Sequence, residues 1–168
     1  MTRILGIDPG LRHTGWGMVQ SEGSHLRHLG CGVISPDDTL PMAERLMALH
    51  HGLAALLAEW QPDEAAIENT YVNRNPAAAL KLGQARGIAL LAPALVGIPV
   101  TEYQVMEVKR AVVGTGAAAK EQVADMVRRL LPGARIARAD AADALAIAIC
   151  HTHHRATRIA LARGYAPV

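Results

Sequence analysis

The sequence predicts one α/β domain with a mixed five-stranded sheet flanked by helices, and three observations support this prediction. Segments with strand and helix patterns follow one another as three strands, helix, strand, helix, strand and further helices. The first three strands alternate in polarity and are separated by turns at Pro9-Gly10 and Gly23, which is typical of an antiparallel meander. The 168 residues are 51% apolar, enough for one core, and no long linker divides them.

Each predicted element follows from a run of apolar residues bounded by glycine or proline. Strands are expected at 3–8, 14–20, 26–34, 63–68 and 98–101. Helices are expected at 41–60, 76–95, 104–112, 120–131 and 140–154. The chain after residue 155 has little pattern, so we expect one domain over 1–155 and a disordered C-terminal tail over 156–168.

Cysteine content and hydropathy argue against several classes of protein. Cys31 and Cys150 are too few for a disulfide-stapled secreted domain, which agrees with a reducing cytoplasm. The apolar run at the N-terminus is too short for a signal peptide, and no stretch approaches the roughly 18–20 apolar residues of a membrane span. We therefore expect a cytoplasmic protein without a membrane segment.

Charge is distributed unevenly along the chain. Residues 1–69 carry nine acidic and four basic side chains, whereas residues 70–138 carry four acidic and ten basic ones. A basic segment beside an acidic one suits an anionic partner held next to a cation site. A solvated surface whose charges happen to cluster explains the same distribution.

Four carboxylates are candidates for a shared site: Asp8, Glu68, Asp140 and Asp143. Asp8 and Glu68 each end a predicted strand, and ligands collect at strand ends in open sheets. Asp140 and Asp143 are three residues apart at a predicted helix start, so their side chains point to the same side. Converging carboxylates repel one another unless a cation such as Mg²⁺ or Mn²⁺ binds them. Two such ions about 4 Å apart can hydrolyse a phosphodiester, so the set predicts a metal-dependent nuclease.

Each carboxylate also has a purely structural explanation. Asp8-Pro9-Gly10 is ordinary turn chemistry, and Asp140 with Asp143 suits a helix N-cap and its first-turn dipole. Glu68 closes a short apolar run and is expected to be half-buried, which is costly for an acid without a partner. The prediction of a catalytic site therefore depends on the four residues together.

Three segments, in this order and at this spacing, resemble the RuvC family of bacterial Holliday-junction resolvases, within the ribonuclease-H-like superfamily. They are ILGIDPGLRHTGWG, AAIENTYVNRNPAAALKLGQARG and ADAADALAIAI, and the pair LKLGQARG and DAADALA is especially distinctive. The resemblance extends to about residue 155. It implies a ribonuclease-H-like fold and an endodeoxyribonuclease that resolves four-way DNA junctions in recombination and repair.

The resemblance also implies roles for individual residues. The family's acidic tetrad, which binds Mg²⁺ or Mn²⁺, matches the same four positions named above, without substitution. The family's phosphate-contacting lysines match Lys109 and Lys120, and its base-contacting aromatic residue matches Tyr71. Family members nick opposite strands symmetrically as homodimers, with a contact region near Ala79, Gly83 and Gly87. They work with the RuvA–RuvB branch-migration complex.

From the residues alone, these additional roles have simpler alternatives. Lys109 and Lys120 can be ordinary exposed lysines, and Tyr71 can plug a loop as well as stack on an unpaired base. The small-residue helix can pack within its own domain. Cys150-His151-Thr152-His153-His154 contains zinc-ligand types, but they crowd at one helix end without a distant cysteine pair, so we do not predict zinc there.

Two other functions compete with the nuclease interpretation. DPGLRHTG is similar to the phosphate loop of actin-like ATP-binding phosphotransferases, but those proteins usually need two such domains and this chain offers one. A non-catalytic module that only binds junctions is the other possibility, and four carboxylates placed near phosphates would not help a pure binder. The nuclease is therefore the preferred prediction.

Overall fold

The computed structural model describes residues 1–69 and 75–162. Its strands are β1 (Thr2–Asp8), β2 (Thr14–Glu22), β3 (His25–Ile34), β4 (Glu64–Asn69) and β5 (Val100–Gln104). Its helices are α1 (Met42–Trp60), α2 (Pro76–Leu95), α3 (Val105–Val113), α4 (Lys120–Leu130) and α5 (Ala139–Ala162). None of the helices in the described ranges combines the length and the hydropathy of a membrane span.

The five strands form a sheet in the order β3-β2-β1-β4-β5. Strands β1, β2 and β3 pair antiparallel as the predicted meander, whereas β4 pairs parallel with both β1 and β5. The predicted mixed sheet flanked by helices is therefore confirmed. Because β1, β4 and β5 are parallel, their carboxyl ends lie at one edge of the sheet, where ligand sites usually form.

The two faces of the sheet are covered by separate apolar cores. Ile4 and Ala66 pack with α3, α4 and α5 on one face, whereas Leu5 and Ile67 pack with α1 and α2 on the other. Successive side chains of a strand point to opposite faces. The alternation therefore places the last even-numbered residues of β1 and β4 on the face covered by α5.

Helix α5 lies directly against the sheet because two positions beneath it have no side chain. A Cβ atom at Gly6 would overlap the carbonyl oxygen of Ala144, and one at Gly15 would overlap the carbonyl oxygen of Asp140. Backbone of the helix thus rests on backbone of β1 and β2. This contact fixes where the first turn of α5 lies relative to the end of β1.

Helix α5 is longer than the sequence predicts. We expected it to end near His154, with a disordered tail over 156–168, but the helix continues to Ala162 and the prediction is wrong for residues 156–162. Arg155 Nε donates to Oε1 of Glu64 at 2.7 Å, which holds α5 against β4 beyond the predicted end. Residues 163–168 lie outside the described residues.

Candidate active site

Asp8 and Glu68 lie beside each other at the carboxyl edge of the sheet. Strands β1 and β4 are parallel neighbours with Ile7 opposite Ile67, and the next residues are Asp8 and Glu68. Neighbouring strands are about 4.8 Å apart, and both side chains point to the α5 face. The sheet thus brings together two carboxylates that are far apart in the sequence.

A depression beside these two carboxylates also contains a third carboxylate and two lysines. It is lined by Asp8, Glu68, Val105, Val108, Lys109, Lys120, Val123, Asp143 and Ala146. Helix α5 supplies Asp143 from its first turns, α3 supplies Lys109, and α4 begins at Lys120. Three predicted carboxylates and both predicted lysines therefore face one depression, which has an apolar wall of valines.

Asp140, the fourth predicted carboxylate, lies at the margin of this depression. Its Oδ2 is 3.6 Å from Nη2 of Arg138, with which it forms an ion pair. Its charge still helps to raise the pKa of Asp8, although it is the smallest contributor. Arg138 is not among the residues predicted from the sequence, although a basic residue two positions before an acid at a helix start favours such a pair.

Burial and neighbouring negative charges make the ionised form of Asp8 unfavourable. The pKa of Asp8 is raised from its ordinary value of 3.8 to about 8. Burial is the largest cause, and the charges of Asp143 and Glu68 raise the pKa further, while Lys120 opposes them. Asp8 therefore holds a proton at neutral pH in the metal-free protein, and a bound cation would take the place of that proton.

Lys120 neutralises part of the charge. Its Nζ lies 3.4 Å from Oδ2 of Asp143, and the Asp143 charge is the main reason that the pKa of Lys120 is raised. The lysine is exposed, and an exposed ion pair contributes at most about 1 kcal/mol. Lys120 can therefore exchange Asp143 for a phosphate group at little cost.

The donor atoms fit a hard divalent cation. Asp8, Glu68 and Asp143 offer carboxylate oxygens, the ligands that Mg²⁺ and Mn²⁺ prefer. Within residues 1–69 and 75–162, however, no three His, Cys, Asp or Glu side chains are already arranged around one point as metal ligands. Carboxylates without a cation repel one another. The chain thus supplies suitable oxygens, and the carboxylates would have to rearrange to complete the ligand set.

A protein-family model, described as crossover junction endodeoxyribonuclease RuvC, matches residues 4–151. This chain belongs to that family. The RuvC of Granulibacter bethesdensis is 63% identical over 96% of this chain and 91% of that protein. The RuvC of Gluconacetobacter diazotrophicus is 62% identical over 98% of both chains.

Solved structures agree with membership of the RuvC family. Thermus thermophilus RuvC in complex with Holliday junction substrate has a TM-score of 0.88 and 36% identity, covering 94% of this chain and 97% of that one. The yeast mitochondrial Holliday junction resolvase Ydc2 has a TM-score of 0.62 at 17% identity and shares the fold. The predicted ribonuclease-H-like fold is therefore confirmed, and the enzyme class is endodeoxyribonuclease.

RuvC membership decides between the functions that the sequence left open. It excludes the actin-like phosphotransferase and the non-catalytic scaffold, because the family is one of nucleases. Nucleases of this family depend on divalent metal ions in general, which agrees with the carboxylate donors described above. The identity and number of the ions, and the role of each residue, remain predictions.

Two further features were singled out in the sequence, Tyr71 and the Cys/His segment of α5. Tyr71 lies outside the described residues, so its contact with bases stays a prediction. In the Cys/His segment of α5, His151 is buried and bonded to Glu64, whereas His153 Nδ1 donates to the carbonyl of Ala111 at 2.9 Å. These two histidines therefore bind different parts of the domain, β4 and α3.

The raised pKa of Asp8 predicts how the stability of the metal-free protein depends on pH. The folded state holds the Asp8 proton up to about pH 8, whereas the unfolded chain releases it near pH 3.8. The stabilisation is therefore complete below pH 3.8 and is lost progressively as pH rises to about 8, by at most about 1.4 kcal/mol per pH unit.

Urea unfolding in EDTA between pH 6 and 9 measures this dependence. We expect the free energy of unfolding of the parent to fall, relative to that of Asp8→Asn, up to about pH 8 and then to run parallel. Using the difference between the two proteins removes the contributions of other titrating groups. Parallel curves across the whole range would show that Asp8 ionises normally.

Proposed function

We propose that this chain resolves four-way DNA junctions by paired symmetric nicks, hydrolysing one phosphodiester at each of two symmetry-related sites. Asp8, Glu68, Asp140 and Asp143 are the proposed ligands of two Mg²⁺ or Mn²⁺ ions. The observation that supports this most directly is the depression shared by Asp8, Glu68, Asp143 and two lysines. The relative from Thermus thermophilus, which aligns over nearly its whole length, is described in complex with Holliday junction substrate.

In the proposed mechanism, the chain's own groups prepare a charged and partly dry site. The carboxylates would hold divalent ions, which would supply Lewis-acid stabilisation of the charge that develops on the scissile phosphate. When a cation binds, Asp8 would release its proton to solvent, and Glu68 would also orient the attacking water. Val105, Val108 and Val123 keep bulk water from one side of the depression, which strengthens the electrostatic interactions inside it.

Lys109 and Lys120 are the proposed contacts to the DNA backbone. Both line the depression, and Lys120 forms an exposed ion pair with Asp143. Such contacts position the strand and make binding sensitive to salt, but they carry no sequence information. The junction is therefore recognised mainly by its shape, with Tyr71 proposed to stack on unpaired bases at its centre.

A cleavage assay on a synthetic mobile four-way junction tests the nuclease proposal. We expect symmetric nicks with Mg²⁺ or Mn²⁺, no cutting in EDTA, and far slower cutting of a linear duplex with the same sequence. Equal rates on junction and duplex would contradict the junction preference while leaving the nuclease activity standing. Cutting at full rate in EDTA would contradict the metal mechanism.

The outer face of α2 supports assembly into a homodimer. Leu80, Leu91 and Leu95 are 67%, 48% and 63% exposed along this face, and a Cβ at Gly83 or Gly87 would have no neighbour within 4 Å. These small residues therefore do not serve close packing inside the described part of the domain. A helix of this kind lets a second helix approach closely, and a two-fold dimer matches a nearly two-fold four-way junction.

A charge on this face tests the dimer. We expect Leu91→Lys to be monomeric by sedimentation and to lose paired nicking, because a lysine would be buried in the interface. The matched control is Met47→Lys, which places the same charge on an exposed apolar residue of α1. If Leu91→Lys sediments as the parent does, the dimer uses another surface.

Two further proposals follow from family membership. Members of the family work with the RuvA–RuvB complex, and we propose the same partner for this chain. We also propose that it acts in the cytoplasm, where its DNA substrate is found. Co-sedimentation of purified RuvA–RuvB and this chain on a four-way junction measures the first proposal.

A further inference from the structure

A network of buried and part-buried hydrogen bonds crosses the domain on the α5 side of the sheet. Tyr103 Oη on β5 lies 3.0 Å from Nδ1 of His151 on α5, and Nε2 of His151 lies 2.7 Å from Oε2 of Glu64 on β4. Arg155 Nε donates to the other oxygen of Glu64 at 2.7 Å. His151 is only 1% exposed. Three elements that frame the active site are therefore joined through one histidine.

The groups at the two ends of this hydrogen-bond network fix which atoms carry the hydrogens. A carboxylate can only accept, so Nε2 of His151 carries the hydrogen and donates to Glu64. Burial is the main reason that the pKa of His151 is lowered, so the ring is neutral, and Nδ1 accepts from the Tyr103 hydroxyl. Burial alone would raise the pKa of Glu64, but hydrogen bonds from Arg155 and His151 lower it and keep it ionised. Each of the four side chains in this network thus has a hydrogen-bond partner.

The Glu64–His151 hydrogen bond lies at a fixed distance along β4 and α5 from two proposed metal ligands, Glu68 and Asp143. Glu64 and Glu68 lie on the same face of β4, four residues or about 13 Å apart. Asp143 and His151 lie on α5, eight residues or about 12 Å apart. The Glu64–His151 bond therefore joins the strand and the helix at one end, and matched lengths bring Glu68 and Asp143 together at the other.

Tyr103 adds a second constraint. It pairs with Glu68 in the β4–β5 register, and it immediately precedes Gln104, the N-cap residue of α3. The hydrogen bond between its hydroxyl and His151 therefore holds β5, which lies beside Glu68, against α5. It holds the start of α3 against α5 as well. Loss of any one of these bonds would remove a constraint on the separation of Glu68 and Asp143.

We propose that His151 is a positioning residue of this nuclease, which sets the separation of Glu68 and Asp143 through its bonds to Glu64 and Tyr103. This inference rests on the proposed function, since it takes these two carboxylates as metal ligands. A histidine with a structural role alone would lower stability when replaced and leave metal binding unchanged. The two cases differ in the affinity of the protein for Mn²⁺ in the absence of DNA.

The test combines calorimetric titration of the full chain with Mn²⁺, without DNA, and junction cleavage as a function of Mn²⁺ concentration. For His151→Leu we expect metal binding weakened about tenfold and a half-saturating Mn²⁺ concentration raised by the same factor. Junction binding in EDTA stays unchanged. His151→Gln keeps one donor and one acceptor and recovers most of the affinity. Tyr103→Phe keeps the ring and is read in the same way if His151→Leu does not fold.

Ile147→Val is the matched control, because it removes one buried methylene from the same helix without removing any hydrogen bond of the network. It should leave the Mn²⁺ affinity at the parent's value. The positioning role is overturned if His151→Leu or Tyr103→Phe binds Mn²⁺ as the parent does, or if Ile147→Val weakens binding equally. A parent that neither binds Mn²⁺ nor cuts junctions contradicts the proposed function itself, so the two failures are distinguishable.

Discussion

We expect Asp8→Asn to slow junction cleavage by about a thousandfold or more, since losing about 4 kcal/mol of charge stabilisation in the transition state has that effect. Asp8 is largely buried, and the charges of Asp143 and Glu68 act on its carboxyl group. An amide cannot replace a carboxylate as an anionic metal ligand. It does resemble the protonated carboxyl that Asp8 carries at neutral pH, so the fold and junction binding should be unchanged.

Cleavage rates under single-turnover conditions and gel shifts in EDTA measure the two effects separately. The control is Asp125→Asn, an equivalent change on an exposed residue of α4 that pairs with Arg128 at 3.1 Å and lies outside the depression. It should cut at the parent's rate. An Asp8→Asn protein that cuts as fast as the parent would show that the carboxylate assignment is wrong.

The largest expected effect on stability is that of Gly6→Ala. The new Cβ would overlap the carbonyl oxygen of Ala144 and come within 2.8 Å of the backbone nitrogen of Ala148. Neither atom belongs to a flexible side chain, so α5 has to move away from β1. We expect the free energy of unfolding to fall by about 4 kcal/mol or more, a large part of the stability of a domain this size.

Urea unfolding followed by circular dichroism measures this loss. Gly116→Ala is a suitable control, because its Cβ would meet Met106 at 3.4 Å, an ordinary contact, and Gly116 does not need a positive φ. It should unfold near the parent's midpoint. A Gly6→Ala protein with the parent's stability would mean that the helix and the sheet can separate at little cost.

The sheet and two of its site residues could be predicted because they depend on local patterns. Alternation along each strand fixes which face a residue points to, and the parallel strands place Asp8 and Glu68 at one edge. The end of α5 could not be predicted, because its anchor is the bond between Arg155 and Glu64, 91 positions apart. That converging carboxylates repel one another could be predicted, but not that Asp8 is the one whose pKa rises to about 8, since this depends on its burial and on charges supplied by three other elements.

The direct contact between α5 and the sheet has a consequence for how the enzyme can adapt to its substrate. With no side chains between Gly6 and Ala144 or between Gly15 and Asp140, there is nothing to slide or repack at that boundary. Asp8 and Asp143 must therefore travel as parts of one rigid body. Adjustment to the DNA strand therefore falls to exposed side chains at the depression, such as Lys120, whose ion pair with Asp143 can open while the acidic residues keep their places.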